Sequence, residues 1–193
     1  MIDKNDVIAF FDKCAPSWDA DMVCNDSVIN TILDNAGVHE DVKVLDVACG
    51  TGVLVPYYLD RKVSSVLGVD ISPKMIEIAK GKFKLDKVSF LCSDAETGFF
   101  GSDYDCIVIY NAFPHFSDAD ILIANLSRML KEGGTLTVAH GMSREKINSH
   151  HRNVGKVSNG LMPANELADL FKGYLKVTTV ISDDHMFQVC GKR

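Results

Sequence analysis

Short runs of Val, Ile and Leu recur along this chain, and stretches of helical periodicity separate them. That alternation constrains the fold more than any other feature. A strand that is apolar at every position must be covered on both faces, and the usual solution is a parallel sheet whose crossovers are helices. The runs are Lys43–Cys49, Ser65–Ile71, Val88–Asp94, Tyr104–Ala112 and Thr135–His140. Two more, Leu175–Ser182 and His185–Gly191, are separated only by Asp183 and Asp184, which predicts a tight antiparallel hairpin. The sheet is therefore expected to be mostly parallel, with one reversed strand near its C-terminal end.

Helical patterns fill the gaps. Pro73–Phe83 has Ser72 at its N-cap and proline at its first position. Asp120–Leu130 carries Ile121, Leu122, Ala124, Leu126, Met129 and Leu130 and is expected to close at Gly133-Gly134. Pro163–Phe171 puts Leu167, Leu170 and Phe171 on one side, and two further helices are expected near 3–13 and 26–36. The segment 141–162 fits neither period and is rich in Asn, Ser, Gly and His. It follows a strand directly, so it should lie over the carboxyl edge of the sheet, where open α/β folds bind ligands. The chain reads as a single domain, 1–193, with 1–36 as a helical lid and 141–162 as an insert over the site.

Composition narrows the function. With 47% hydrophobic and 24% charged residues, the chain can bury a core and is neither disordered nor fibrous. Twenty basic residues against 26 acidic ones leave a net charge of −6, which argues against a nucleic-acid partner. No apolar run reaches the roughly 18 residues that span a bilayer, so no membrane association is expected. The opening residues, MIDKNDVIAFFDKC, lack the apolar core and cleavage site of a secretory signal. The six cysteines form no CxxC pair, which speaks against a cysteine zinc site and for a reducing, cytoplasmic compartment.

The most informative stretch is Val44-Leu45-Asp46-Val47-Ala48-Cys49-Gly50-Thr51-Gly52. A strand runs into a glycine turn that lets a ligand approach the backbone, and a helix follows. Asp46 lies inside that strand, Asp70 ends the next one, and Asp94 ends the third. Asp70 can accept hydrogen bonds from both ribose hydroxyls of a nucleoside, and Asp94 can meet an adenine amino group. A nicotinamide-binding turn would want a third glycine where this chain has Val55.

Taken in order, VLDVACGTG, GVDISPKMIEIAK, the SDAE of Ser93–Glu96, YDCIVIYNAF and LKEGGTLTV resemble the motifs of class I S-adenosylmethionine-dependent methyltransferases, over roughly residues 40–140. The likeness is greatest to the small-molecule branch that includes the quinone-biosynthesis C-methyltransferases. The resemblance implies a Rossmann-like α/β fold: a seven-stranded sheet of order 3-2-1-4-5-7-6, strand 7 antiparallel, with helices on both faces. It implies S-adenosylmethionine as cofactor. Asp46 and the turn Ala48-Cys49-Gly50-Thr51-Gly52 would sit beside the methionine moiety, although the family often has glycine where this chain has Ala48. Asp70 would hold the ribose, Ile71 and Met75 would flank the adenine, Asp94 and Ala95 would meet its edge, and Asn111 would stand between cofactor and acceptor. Trp18-Asp19 resembles an aromatic-acid pair that helps cover the cofactor.

The residues after strand 4, Asn111-Ala112-Phe113-Pro114, lack the Asn/Asp-Pro-Pro-aromatic pattern of nucleic-acid amino methyltransferases and the acid of metal-dependent catechol enzymes. A small-molecule acceptor is therefore expected, with the protein a monomer or homodimer. Five of the six histidines lie beyond position 110. His115 follows strand 4, His140 ends strand 5, and Arg144, His150 and His151 lie in the insert. These five are the candidate catalytic residues, with a histidine as general base and Arg144 pairing with an acidic or metal-chelating acceptor. His115, His140, His150 and His151 are also the candidate metal ligands. His150 and His151 would point about 100° apart on a helix, which suits one shared ion poorly. The alternative function is a non-catalytic S-adenosylmethionine-binding or metal-responsive regulatory protein.

Overall fold

Strands β1 (Lys43–Val47), β2 (Ser65–Asp70), β3 (Val88–Cys92), β4 (Tyr104–Tyr110), β5 (Leu130–His140), β6 (Lys176–Ser182) and β7 (Phe187–Lys192) form one sheet. The structure, a computed structural model, describes residues 2–151 and 156–193. The strand order is β3-β2-β1-β4-β5-β7-β6. The first five strands pair in parallel, and β7 runs antiparallel to both of its neighbours. This is the order that the resemblance implies.

The helices are α1 (Lys4–Cys14), α2 (Trp18–Asp21), α3 (Asp26–Asn35), α4 (Val55–Asp60), α5 (Pro73–Lys82), α6 (Ala119–Ser127), α7 (Arg144–His151) and α8 (Ala164–Lys172). Alternation along β4 explains the layering. Cys106 and Val108 face Ile29, Leu33, Tyr58 and Ile76 from α3, α4 and α5. Ile107 and Ile109 face the other way, toward Leu122 and Leu126 of α6 and Phe171 of α8. Both faces are covered, so every strand residue between them gains from being apolar. Ser72 caps α5 by accepting from the Met75 amide, and Asp118 caps α6 by accepting from Ile121. Among the described residues no helix is long and apolar enough to cross a membrane.

Three boundaries differ from the sequence expectation. Gly133-Gly134 does not close a helix. α6 ends at Ser127, and β5 begins at Leu130, which pairs with Tyr104. Both glycines lie inside the strand, where Gly133 donates to the Arg193 carbonyl and Arg193 donates to that of Gly134. A Cβ on Gly134 would sit 2.7 Å from the Tyr104 carbonyl oxygen, so close backbone approach is what requires glycine there. The β6–β7 turn spans Asp183–Met186 rather than two residues, because the Asp183 carboxylate accepts from both His185 and Met186 amides and holds them in the loop. The insert 141–162 contains a regular helix, α7, whose Asn148 binds the Leu161 amide and carbonyl and folds the later part of the segment back.

Candidate active site

The carboxyl ends of β1 to β4 open into one cleft. Its floor is the turn after β1. Ala48, Gly50 and Gly52 all adopt left-handed backbone, with φ of 56°, 55° and 85°. The Gly50 amide, aimed outward by that turn, donates to Asp70 Oδ2 at 2.8 Å, while the Ser72 amide donates to Oδ1 at 2.9 Å. Each Asp70 oxygen thus holds one backbone donor and keeps a lone pair for a ligand. Burial pushes this carboxyl above its usual range, and the backbone donors pull against the rise.

Asp46 is deeper. It is 2% exposed, and its Oδ2 has no hydrogen-bond partner among the described residues. Burial first, then the neighbouring Asp70 charge, pushes it up to about 8. The Tyr58 hydroxyl opposes that rise but stops short of hydrogen-bond geometry.

The N-terminal helices cover the cleft. Trp18 lies over Gly50, with its indole nitrogen 3.6 Å from where a Cβ would be. Phe11 stacks edge-on against Trp18, with centroids 5.7 Å apart, and against His115 at 4.9 Å. Three polar side chains tie these helices down. Lys4 Nζ lies 2.6 Å from Asp94 and 2.5 Å from Glu96. Asp12 accepts from the Ser72 hydroxyl and the Lys74 amide at the start of α5. Asp19 accepts from the Thr51 hydroxyl and pairs with Lys82. Burial raises Asp94 and Glu96, but the Lys4 ammonium outweighs it and holds both below their usual range. Glu96 is buried and also accepts from Ser117 and Asp118, so it joins the end of β3, the start of α6 and α1 at one carboxylate.

Of the residues expected to hold a cofactor, Trp18, Asp46, Ala48, Cys49, Gly50, Asp70, Ile71, Met75, Asp94, Ala95 and Asn111 line this cleft. Thr51 turns away to Asp19, and Gly52 lines a neighbouring cavity on the far side of the turn. Asn111, at φ 55°, accepts from the Gly141 amide and so fastens the end of β4 to the residue after β5.

Of the candidate histidines whose side chains are described, His115 alone lines the cleft. Its Nδ1 lies 2.7 Å from the Val157 carbonyl. His140 is 1% exposed and packs edge-on against Phe187, its partner across the β5–β7 ladder. Arg144 donates to the Leu161 carbonyl from the start of α7. His150 is exposed on that helix, and the side chain of His151 lies outside the described residues. Among the described residues no three His, Cys, Asp or Glu side chains are placed to hold a metal ion.

Lys4, Phe11 and Glu96 carry site roles that the sequence reading did not assign. Glu96 lies within the quoted SDAE stretch, yet spacing alone does not say that it faces α1. Lys4 and Phe11 occupy a helix whose docking position no local pattern encodes.

The family model described as a methyltransferase domain matches residues 44–134, the span from β1 into β5 that builds this cleft. Over that span the chain is similar to methyltransferase domains. It is 33% identical over 139 residues to the malonyl-[acyl-carrier protein] O-methyltransferase of Acetivibrio thermocellus, covering 70% of this chain and 49% of that protein. It is 24% identical over 162 residues to the ubiquinone/menaquinone biosynthesis C-methyltransferase UbiE of Campylobacter jejuni, covering 76% and 68%. The chain thus spans about half the length of the malonyl-[acyl-carrier protein] methyltransferases that it matches. Among solved structures, the methyltransferase in complex with the Trm112 activator of Haloferax volcanii superimposes with a TM-score of 0.79 at 20% identity, covering 94% of this chain and 96% of that one. Magnesium protoporphyrin IX methyltransferase of Synechocystis, solved with S-adenosylhomocysteine, gives 0.73 at 17% identity over 98% and 99%. The chain therefore has the fold of these proteins over nearly its whole length.

Proposed function

We propose that this cleft binds S-adenosylmethionine and that the protein transfers its methyl group to a small-molecule acceptor with an apolar body. The observation that carries the reading is the meeting of Asp46, Asp70 and Asp94 with one glycine turn, in a cleft that apolar side chains such as Val7, Phe11, Val53, Leu54 and Phe116 also wall. The residues present fit the cofactor. The buried, unpartnered Asp46 oxygen suits an ammonium, the two half-occupied oxygens of Asp70 suit a ribose diol, and Ile71 and Met75 offer apolar surface for an adenine. When bound, the cofactor supplies a methyl group on a positively charged sulfur.

The chain's own work is positioning and water exclusion. Helices α1 and α2 act as a lid, with Phe11 and Trp18 as its inner surface, whereas α3, expected to belong to it, is packed into the core beneath the sheet. His115 serves as the proton acceptor for the nucleophile. A carbonyl only accepts, so the ring nitrogen facing Val157 carries the hydrogen, and Nε2 is the basic nitrogen of the neutral ring.

An acidic acceptor is disfavoured by where the cations are. Lys4 is held between Asp94 and Glu96, and Arg144 is not among the residues that line the cleft. Walls such as Val7, Phe11, Trp18, Met22 and Phe116 favour an apolar ring instead. The name of the Campylobacter relative points to a quinone, a compound of that kind.

Calorimetry with S-adenosylmethionine and S-adenosylhomocysteine tests the site. Binding by the wild-type chain supports it, and its absence in folded protein refutes it. Formation of S-adenosylhomocysteine with a panel of phenols, quinols and organic acids then reads the acceptor. Turnover on the organic acids alone overturns the apolar assignment.

A further inference from the structure

Asp46 is not the sole polar group buried under the glycine turn. Along β1, Val44 packs with the α3–α5 layer while Leu45 and Val47 pack with the α6–α8 layer. Alternation therefore turns Asp46 toward α4. Tyr58 of α4 lies in that same layer and is 0% exposed. Its hydroxyl has no hydrogen-bond partner among the described residues, and the same holds for Asp46 Oδ2. The two groups are close enough to act on each other's titration, yet they fall short of full hydrogen-bond geometry. Buried polar groups left this way are costly, and few cores retain them without a use.

The surroundings say when the bond would form. Besides Tyr58, the titratable groups facing Asp46 are Asp70 from β2 and Cys49 from the turn, and Cys106 of β4 acts on Tyr58. None of these supplies positive charge. The cation of the cleft, Lys4, is engaged by Asp94 and Glu96. With no ligand, burial keeps most Asp46 side chains protonated at neutral pH. A ligand ammonium changes the balance, because an ionised carboxylate is a stronger acceptor than a neutral one.

We infer that Tyr58 is a positioning residue for the ligand's ammonium: its hydroxyl donates to Asp46 when that carboxyl gives up its proton, and so lets a buried acid exchange a proton for the positive end of the cofactor. The O–H bond of the Asp46 carboxyl breaks, its proton leaves to solvent, and no covalent bond to the ligand forms. The inference rests on the cofactor reading above and adds to it a proton released on binding.

Calorimetry of S-adenosylmethionine binding in pairs of buffers with different ionisation enthalpies counts that proton. The Asp46→Asn variant is the blank, since it lacks the carboxyl, and near neutral pH the free cofactor's amine is already mostly protonated. At neutral pH the wild type should release close to one proton more than Asp46→Asn, and that extra release should be lost as pH rises and Asp46 ionises before the ligand binds. Tyr58→Phe should bind roughly tenfold or more weakly, the loss expected for a hydrogen bond to a charged group, and should carry proton release to higher pH. A Tyr58→Phe variant with wild-type affinity and an unmoved proton curve makes Tyr58 a core filler and overturns the inference. If that variant does not fold, the difference between wild type and Asp46→Asn decides alone, and equal proton counts overturn it. A folded wild type that binds no cofactor instead removes the cofactor reading, an outcome distinct from either.

Discussion

The two halves of the sheet's carboxyl edge hold their polar side chains differently. On the β1–β3 half, Asp46, Asp70 and Asp94 each lie within two residues of a strand end, and all three reach one cleft. On the β4–β5 half, Asn111 and His115 reach it, but His140 is packed against Phe187 and Arg144, bonded through Nε to the Leu161 carbonyl, does not line it. Strand register places the first set, and register is dictated by short-range periodicity. The second set depends on how an insert and a lid settle over the edge, which is decided by tertiary packing.

The largest test of this contrast is Asp70→Ala. Each hydrogen bond to a charged group is worth about 1.5–3 kcal/mol, so losing two should weaken cofactor binding by roughly 10²–10⁴. Calorimetry reads it, and unchanged affinity would break the cofactor half of the comparison.

Next come the paired variants His115→Ala and His140→Ala. Removing a catalytic base costs about 10²–10⁴ in rate, so His115→Ala should lose turnover on that scale while cofactor affinity holds. His140→Ala should melt earlier and keep the turnover number of the folded protein, because its ring is packed in the sheet. Equal losses of turnover would return the β5 end to the site.

Lys4→Met probes the cover with a smaller effect. Lys4 is 37% exposed on its side chain, so screening limits the pair to about 1 kcal/mol, seen as faster hydrogen exchange in α1. The sign with pH follows from Asp94 and Glu96, both held below their usual range. Such carboxylates stabilise the closed form above their unfolded values, and that contribution fades as pH falls through the lowered ones. The cover should therefore stay fastened at neutral pH and loosen in acid, and exchange that is equal in both would remove Lys4 from this role.

The smallest effect is Ala48→Gly. A left-handed backbone costs a non-glycine residue roughly 1–2 kcal/mol, so glycine should raise the melting temperature, less the entropy it adds to the unfolded chain. A lower melting temperature would show that Ala48 packs for more than its backbone costs.

The same contrast explains what the sequence made readable. Continuous Val/Ile/Leu runs announced the strands, and Asp46, Gly50 and Asp70 followed from where those runs end. Gly133-Gly134 misled because glycines after an apolar helix resemble a stop signal, whereas here they admit the Tyr104 carbonyl inside a ladder. Lys4 and Phe11 left no local trace, since their partners lie on the far side of the chain: Asp94 and Glu96 for one, His115 for the other. Histidines clustered in sequence suggested a shared cleft; of those whose side chains are described, His115 lines it, while His140 packs against Phe187 in the β5–β7 ladder.

The position of β7 between β5 and β6 bears on how the protein is made. β6 cannot dock against β5, because the space beside β5 belongs to a strand that emerges later from the ribosome. From the synthesis of His140 until that of Phe187, the half-built sheet shows an unpaired edge rich in apolar residues. Nascent chains stalled in that interval are the ones expected to recruit chaperones or to pair with foreign strands. The completed β6–β7 hairpin closes the gap in one step, and the exposed edge then passes to β6, where Lys176 and alternate polar residues blunt it.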